Sequence, residues 1–220
     1  MKKYKGFLFD LDGTLVDSLP AVVRAWSRWA ERHGIPAEEV LGFIHGKPAM
    51  SSLRHFMPGE SEEAIQAEFR WLERLEAEDT HGVRAIPGAV NLLASLNAQQ
   101  IPWAIVTSGS VPVAHARHKA AGLPLPEVFI TAENITHGKP HPEPYLLGAE
   151  RLGLSPTECI VVEDAPAGII AGLDAGCAVV AVNPPADAPR GDALLLRVDT
   201  LEPLRVEKSS AGDVALTTVD

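Results

Sequence analysis

Two aspartates two residues apart, Asp10 and Asp12, follow the apolar run Gly6-Phe7-Leu8-Phe9 and precede a Gly13-Thr14 turn. A carboxylate at the end of a buried strand is costly unless a cation or hydrogen bonds compensate it, so this pair marks the mouth of a site. Three further segments offer polar groups: Thr107-Ser108-Gly109-Ser110 after Ile105-Val106, Lys139 within Thr136-His137-Gly138-Lys139-Pro140, and Glu163-Asp164 after Val161-Val162. Acidic residues from two strand ends make a hard oxygen site suited to Mg²⁺, which takes one or two carboxylates together with waters and phosphate oxygens. Lys139 and the Thr107 or Ser108 donors then face the anion that the metal helps to hold. An aspartate can also attack phosphorus, because carboxylates form acyl-phosphate intermediates.

These residues need a scaffold that brings four distant segments to one edge. Short apolar runs recur at Phe7–Phe9, Trp103–Val106, Val128–Ile130, Ile160–Val162 and Val179–Val182, with the length and composition of strands covered on both faces. Helical patterns lie between them: Asn91–Leu96, Val111–Ala121 before Gly122, Pro144–Leu152 before Gly153, and Ala165–Ala175 before Gly176. The alternation predicts a Rossmann-like, doubly wound α/β fold in which the polar strand ends converge.

From about Leu19 to Val83 no strand is evident. Val22, Ala25, Trp26, Trp29 and His33 share one helical face, as do Ile65, Phe69, Leu72 and Leu75, and Glu62 and Glu63 follow Ser61 where they favour the helix dipole. The reading is a catalytic core of residues 1–17 and 84–220 with a helical cap of residues 18–83 inserted after the first strand. Trp26, Trp29 and Phe69 are expected in the core of the cap. Leu204–Val219 reads as an edge hairpin.

The bulk properties restrict the function classes. With 220 residues and 46% hydrophobic content, the chain can build a core without disulfides or a structural metal. The net charge of −10 argues against a nucleic-acid partner, which needs a basic face; the basic residues Lys2, Lys3 and Lys5 form too short a cluster to be an arm. No run of about 18 apolar residues is present, so no membrane span is expected. Cys159 and Cys177 lie beside apolar runs and read as reduced core residues. A cytoplasmic, monomeric protein is expected.

The four motifs in order, Asp10-Leu11-Asp12-Gly13-Thr14, Thr107-Ser108-Gly109, Lys139 and Glu163-Asp164-Ala165-Pro166-Ala167-Gly168, resemble the haloacid dehalogenase superfamily, in its subgroup with a helical cap after the first strand. The resemblance implies that Asp10 is the nucleophile, forming a phosphoaspartate. It assigns Asp12 to protonate the leaving alkoxide and later deprotonate the attacking water. Mg²⁺ is implied at the Asp10 side chain, the Asp12 backbone carbonyl and Asp164, with Glu163 a nearby carboxylate or indirect ligand. Asp10, Leu11, Asp12, Thr107, Ser108 and Lys139 are implied against the phosphate, with Thr107 and Lys139 stabilising its equatorial oxygens. Thr107 also suits a helix N-cap, which uses the same geometry.

In this family a cap loop reaches into the site and chooses the substrate. The candidate here is Phe43-Ile44-His45-Gly46-Lys47-Pro48, in which His45 and Lys47 are placed to meet hydroxyls or a second anionic group. An ordinary helix connection fits the same residues. The family resemblance is nearest to bacterial sugar phosphatases, and the Gly138–Tyr145 and Glu163–Ile169 stretches also match glycerol-3-phosphatases and 2-deoxyglucose-6-phosphatases. It implies a Mg²⁺-dependent phosphatase of small phosphorylated metabolites: hexose 6-phosphates, 2-deoxyglucose 6-phosphate or glycerol 3-phosphate. The alternative is an isomerase like β-phosphoglucomutase, whose cap loop carries an arginine after the turn glycine where this chain has Lys47. A receiver domain is disfavoured by the order of its acids, and dehalogenation by the second aspartate.

Overall fold

The computed structural model describes residues 3–44, 47–186, 188 and 191–219; Lys2, His45 and Gly46, named above, lie outside them. In chain order the elements are β1 (Gly6–Phe9), β2 (Val16–Asp17), α1 (Leu19–His33), α2 (Ala37–Ile44), α3 (Ala49–Phe56), α4 (Glu62–Glu78), β3 (Arg84–Ala85) and α5 (Ala89–Ala98). There follow β4 (Trp103–Val106), α6 (Val111–Ala120), β5 (Val128–Ile130), α7 (Glu143–Arg151), β6 (Cys159–Glu163), α8 (Pro166–Asp174), β7 (Ala178–Val182), β8 (Leu196–Val198), β9 (Leu204–Lys208) and β10 (Val214–Thr218).

The main sheet has six strands in the order β5-β4-β1-β6-β7-β8. Every neighbouring pair is parallel. This is the doubly wound Rossmann-like fold that the sequence predicts. Strand pleating divides β1 between two cores. Phe7 and Phe9 pack with Leu92, Leu93 and Leu96 of α5, whereas Leu8 packs with Tyr145 and Ala149 of α7 and Ile169 of α8. Burial on both faces is why these strands read as unbroken apolar runs. The strand order departs in both directions from β1, so the crevice past its C-terminal end is the topological switch point where such folds bind ligands.

Helices α1 to α4 surround a hydrophobic cluster of their own that includes Trp26, Trp29, Val40, Leu53, Ile65 and Leu72, with Phe69 packed against it. Local signals set the helix ends. Ser61 Oγ accepts a hydrogen bond from the Ala64 amide at the start of α4, and Gly34, with φ of 65°, closes α1 in the left-handed conformation. The chain enters and leaves this lobe through the antiparallel pair β2–β3, in which Val16 faces Ala85 and Asp17 faces Arg84.

The C-terminal hairpin exists but is not an edge of the main sheet. Strands β9 and β10 form a separate two-stranded ribbon. Gln99, just past α5, holds it by donating to the Val206 carbonyl and accepting from the Lys208 amide. The sheet edge is instead β8, in which the exposed Arg197 between Leu196 and Val198 breaks any apolar run. Cys159 and Cys177 are buried and free. Among the described residues, no helix is long and apolar enough to cross a membrane.

Candidate active site

Lys139, carried by the loop before α7, is the centre of the site. Its ammonium donates to Asp10 Oδ1 at 2.7 Å, to the Val106 carbonyl at 2.9 Å and to Glu163 Oε1 at 2.8 Å. One buried lysine therefore satisfies its three protons on the ends of β1, β4 and β6. Burial alone would lower its pKa, but Asp10 and Glu163 outweigh that and hold it above the ordinary value. Glu143 fixes the same loop by accepting from the Thr136 and His137 amides.

Glu163 is almost wholly buried. Its Oε1 accepts from Lys139 and from the Tyr145 hydroxyl at 2.8 Å, and its Oε2 from the Asp164 and Ala165 amides. Both oxygens are thus occupied. A Cβ at Gly168 would collide with this carboxylate, so α8 approaches it only because residue 168 is glycine.

Asp10, Glu163 and Asp164 bring carboxylate oxygens within 4.8 Å of one another. The Thr14 hydroxyl lies 3.2 Å from Asp10 Oδ2 and 3.1 Å from Asp164 Oδ1, bridging the two. Burial and Glu163 push Asp10 up to about 7, against the pull of Lys139. Burial, then Asp10 and Glu163, push Asp164 up to about 9. Gly13, at φ of 87°, turns the chain so closely past Asp164 that a Cβ there would strike its carboxylate.

With Asp10, Glu163 and Asp164 all ionised, three carboxylates against one ammonium would leave two uncompensated negative charges in a buried site. That is why Asp10 and Asp164 hold protons in the absence of a cation. Two negative charges match a divalent cation, and all-oxygen donors suit Mg²⁺. The donor set fits the metal, with Asp10 and Asp164 the carboxylates best able to serve it and Glu163 bracing them.

Asp12 is on the open side of the same turn, its side chain 29% exposed. Its Oδ1 accepts from Arg117 at 3.1 Å, and a Cβ on Gly109 would lie 4.0 Å from its Oδ2. The Asp12 loop and the Thr107–Gly109 turn are therefore neighbours. Thr107 is buried, with its hydroxyl accepting from the Gly109 amide, while Ser108 is exposed. Leu11 is fully buried, and its carbonyl takes the amides of Thr14, Leu15 and Val16, so only its own amide can face a ligand.

The structure thus brings together Asp10, Leu11, Asp12, Thr107, Ser108, Lys139, Glu163 and Asp164. The cap residues are different. His45 lies outside the described residues, and Lys47 turns back on its own lobe. Its ammonium donates to the Phe43 carbonyl at 2.9 Å and lies 3.5 Å from that ring's centre. Sequence reading missed Arg117, Glu76 and the role of Tyr145. A second cluster joins the exposed His137 and His141 of the Lys139 loop to the half-buried Glu143 at the start of α7.

Residues 4–176 match the family described as haloacid dehalogenase-like hydrolase. Hexitol phosphatase A of Escherichia coli K12 is 65% identical over 212 residues, covering 96% of this chain and 98% of that protein. Glycerol-1-phosphate phosphohydrolase 2 of Saccharomyces cerevisiae is 37% identical over 193 residues, covering 82% of this chain and 75% of that one. Among solved structures, a hydrolase from Pseudomonas syringae superposes with a TM-score of 0.78 at 26% identity, covering 90% of this chain and 94% of its own.

Proposed function

The chain belongs to the haloacid dehalogenase-like hydrolases and is a phosphoric monoester hydrolase; on that premise we propose that it hydrolyses small phosphorylated sugars and sugar alcohols through a phosphoaspartate on Asp10. The observation that carries the reading is the buried cluster of Asp10, Lys139, Glu163 and Asp164 at the switch point of the sheet. Hexitol phosphates and hexose 6-phosphates are the leading substrates, and the 65% identity to a protein named for hexitol phosphate supports the first of these.

Asp10 attacks phosphorus in line. Lys139, already bonded to its Oδ1, holds the carboxylate in place and meets the charge on the transferring phosphoryl oxygens. Asp12 gives a proton to the departing alkoxide and then takes one from the water that opens the acyl phosphate, help worth about 10²–10⁴ in rate. The Thr107 hydroxyl and the Ser108 amide face the remaining phosphoryl oxygens. Asp10, the Asp12 carbonyl and Asp164 are the groups that would hold Mg²⁺, which when bound supplies charge neutralisation to the phosphate. Residues 18–83 act as a cap over residues 1–17 and 84–220, excluding bulk water when closed. The enzyme is taken to work as a cytoplasmic monomer, and sedimentation tests the second part.

The decisive test is phosphate release from a hexitol 6-phosphate, a hexose 6-phosphate and glycerol 3-phosphate by the wild type and by Asp10→Asn. Turnover by the wild type, lost in a folded Asp10→Asn variant, is expected. A variant as active as the wild type would sink the mechanism.

A further inference from the structure

Arg117 projects from α6 and is only 5% exposed. One terminal nitrogen donates to Asp12 Oδ1 at 3.1 Å, and the other donates to Glu76 Oε1, also at 3.1 Å. Glu76 lies near the end of α4, within the helical lobe, and its side chain is 12% exposed. Helices α4 and α6 pack directly on one another. The guanidinium is thus clamped between a carboxylate of the core and a carboxylate of the cap. Its Nε–H is buried and has no hydrogen-bond partner among the described residues.

Burying an arginine is unfavourable unless its charge is matched, and leaving a buried donor unpaired adds to the cost. An ion pair serving only to fasten the lobes does not need to end on Asp12. Here the guanidinium meets the one carboxylate of the catalytic turn that is free of Lys139, and charge-assisted hydrogen bonds fix direction as well as distance. If the lobe moved away, Glu76 would leave with it and Arg117 would lose half of its partners.

We propose that Arg117 is a positioning residue for Asp12, and that Glu76 makes this positioning conditional on the docked cap. The Glu76–Arg117–Asp12 chain passes the position of the cap to the group that handles the leaving-group proton. The proposal rests on the reading of Asp12 as that group.

The test exploits leaving-group chemistry. An alkoxide needs a proton as it departs, whereas 4-nitrophenolate leaves without one, so loss of Asp12 positioning selectively slows the first. The kcat/KM of Arg117→Met, Arg117→Lys, Glu76→Gln, the Arg117→Met/Glu76→Gln double variant and Asp12→Asn is measured on a hexitol 6-phosphate and on 4-nitrophenyl phosphate. Arg117→Met is expected to lose about 10²-fold on the sugar phosphate and less than about 10-fold on the aryl phosphate. Glu76→Gln is expected to lose about 10-fold and under about threefold, and Arg117→Lys to recover part of the sugar-phosphate activity. The double variant should be no worse than Arg117→Met, because the groups act as one unit. Equal losses on the two substrates, or multiplicative losses in the double variant, would overturn the proposal. If Arg117→Met does not fold, Glu76→Gln and Arg117→Lys decide by the same ratio of substrates. Leaving-group selectivity in Asp12→Asn but not in the Arg117 variants refutes the positioning role alone. Absence of selectivity in Asp12→Asn refutes the reading of Asp12 beneath it.

Discussion

Lys139 Nζ lies 2.7 Å from Asp10 Oδ1, the shortest contact described for either side chain. The ammonium also binds the end of β4 and the last residue of β6, so it joins the three central strands at the edge where chemistry is expected. A lysine so placed is both a structural pin and a charge in the site.

Replacing it should show both roles. Lys139→Met leaves Asp10, Glu163 and Asp164 without their counter-charge, and removing one partner of a buried ion pair costs about 3–5 kcal/mol. Urea unfolding at pH 8 should reveal a loss of that order together with near-abolished phosphate release. At pH 5 the stability loss should shrink, since the carboxyls can take up protons instead. An unchanged midpoint at pH 8 would contradict the pinning role.

The raised carboxyls make a pH prediction for the metal-free protein. Asp10 at about 7 and Asp164 at about 9 bind protons more tightly in the folded chain than in the unfolded one. Their stabilisation is therefore complete below about pH 4 and is lost as pH rises through about 7 and about 9. Carboxyls shifted the other way, such as Glu143 and Asp79, titrate below the range of interest. In EDTA the Tm should fall between pH 6 and pH 9, and Mg²⁺ should raise it more at pH 8 than at pH 6. A Tm in EDTA that climbs over this range would count against the arrangement.

Gly168→Ala tests the bracing of Glu163. The added Cβ meets the carboxylate itself, so Glu163 must abandon bonds to Lys139, Tyr145 or the two amides. Overpacking of this kind costs about 1–3 kcal/mol, and the lost hydrogen bonds add to it. Mg²⁺ affinity, followed by its effect on Tm, should weaken in parallel. A variant with wild-type stability and metal response would show that Glu163 has room to move.

Lys47→Ala should be nearly silent. Both described side-chain contacts of this lysine stay with Phe43, so its removal is expected to change kcat/KM by about threefold or less on sugar and aryl phosphates alike. A selective loss on phosphorylated sugars would return Lys47 to the substrate.

What could be read in the sequence follows the range of the interactions. The central strands announce themselves because burial on both faces demands apolar runs. The acidic and hydroxyl segments stand out because polar groups at strand ends are expensive, whereas Lys139, in the loop before α7, stands out only through its place in the order of the motifs. Arg117 gave no such signal. It sits on α6 beside Val113 and Ala114, and its partners Asp12 and Glu76 are 105 and 41 residues away. Only the packing of α4 on α6 turns three ordinary charged residues into a chain. Tyr145, within the Pro144–Leu152 helical pattern, is likewise buried, and nothing in that pattern announces that its hydroxyl completes Glu163. The hairpin was legible as strands and not as a separate ribbon, because alternation carries no information about which strand lies beside it.

The pairing of Asp17 with Arg84 places the two ends of the helical lobe side by side across one rung of a ladder. Everything between them is a detour that leaves the strand order of the main sheet untouched. Such a segment is interchangeable: a tight turn could close the gap, or a different lobe could be spliced between the same two residues. Under the proposed division of the chain, reactivity and selectivity occupy separately replaceable portions that meet at Arg117, and a grafted lobe would need a carboxylate at the place of Glu76 to be heard by the core.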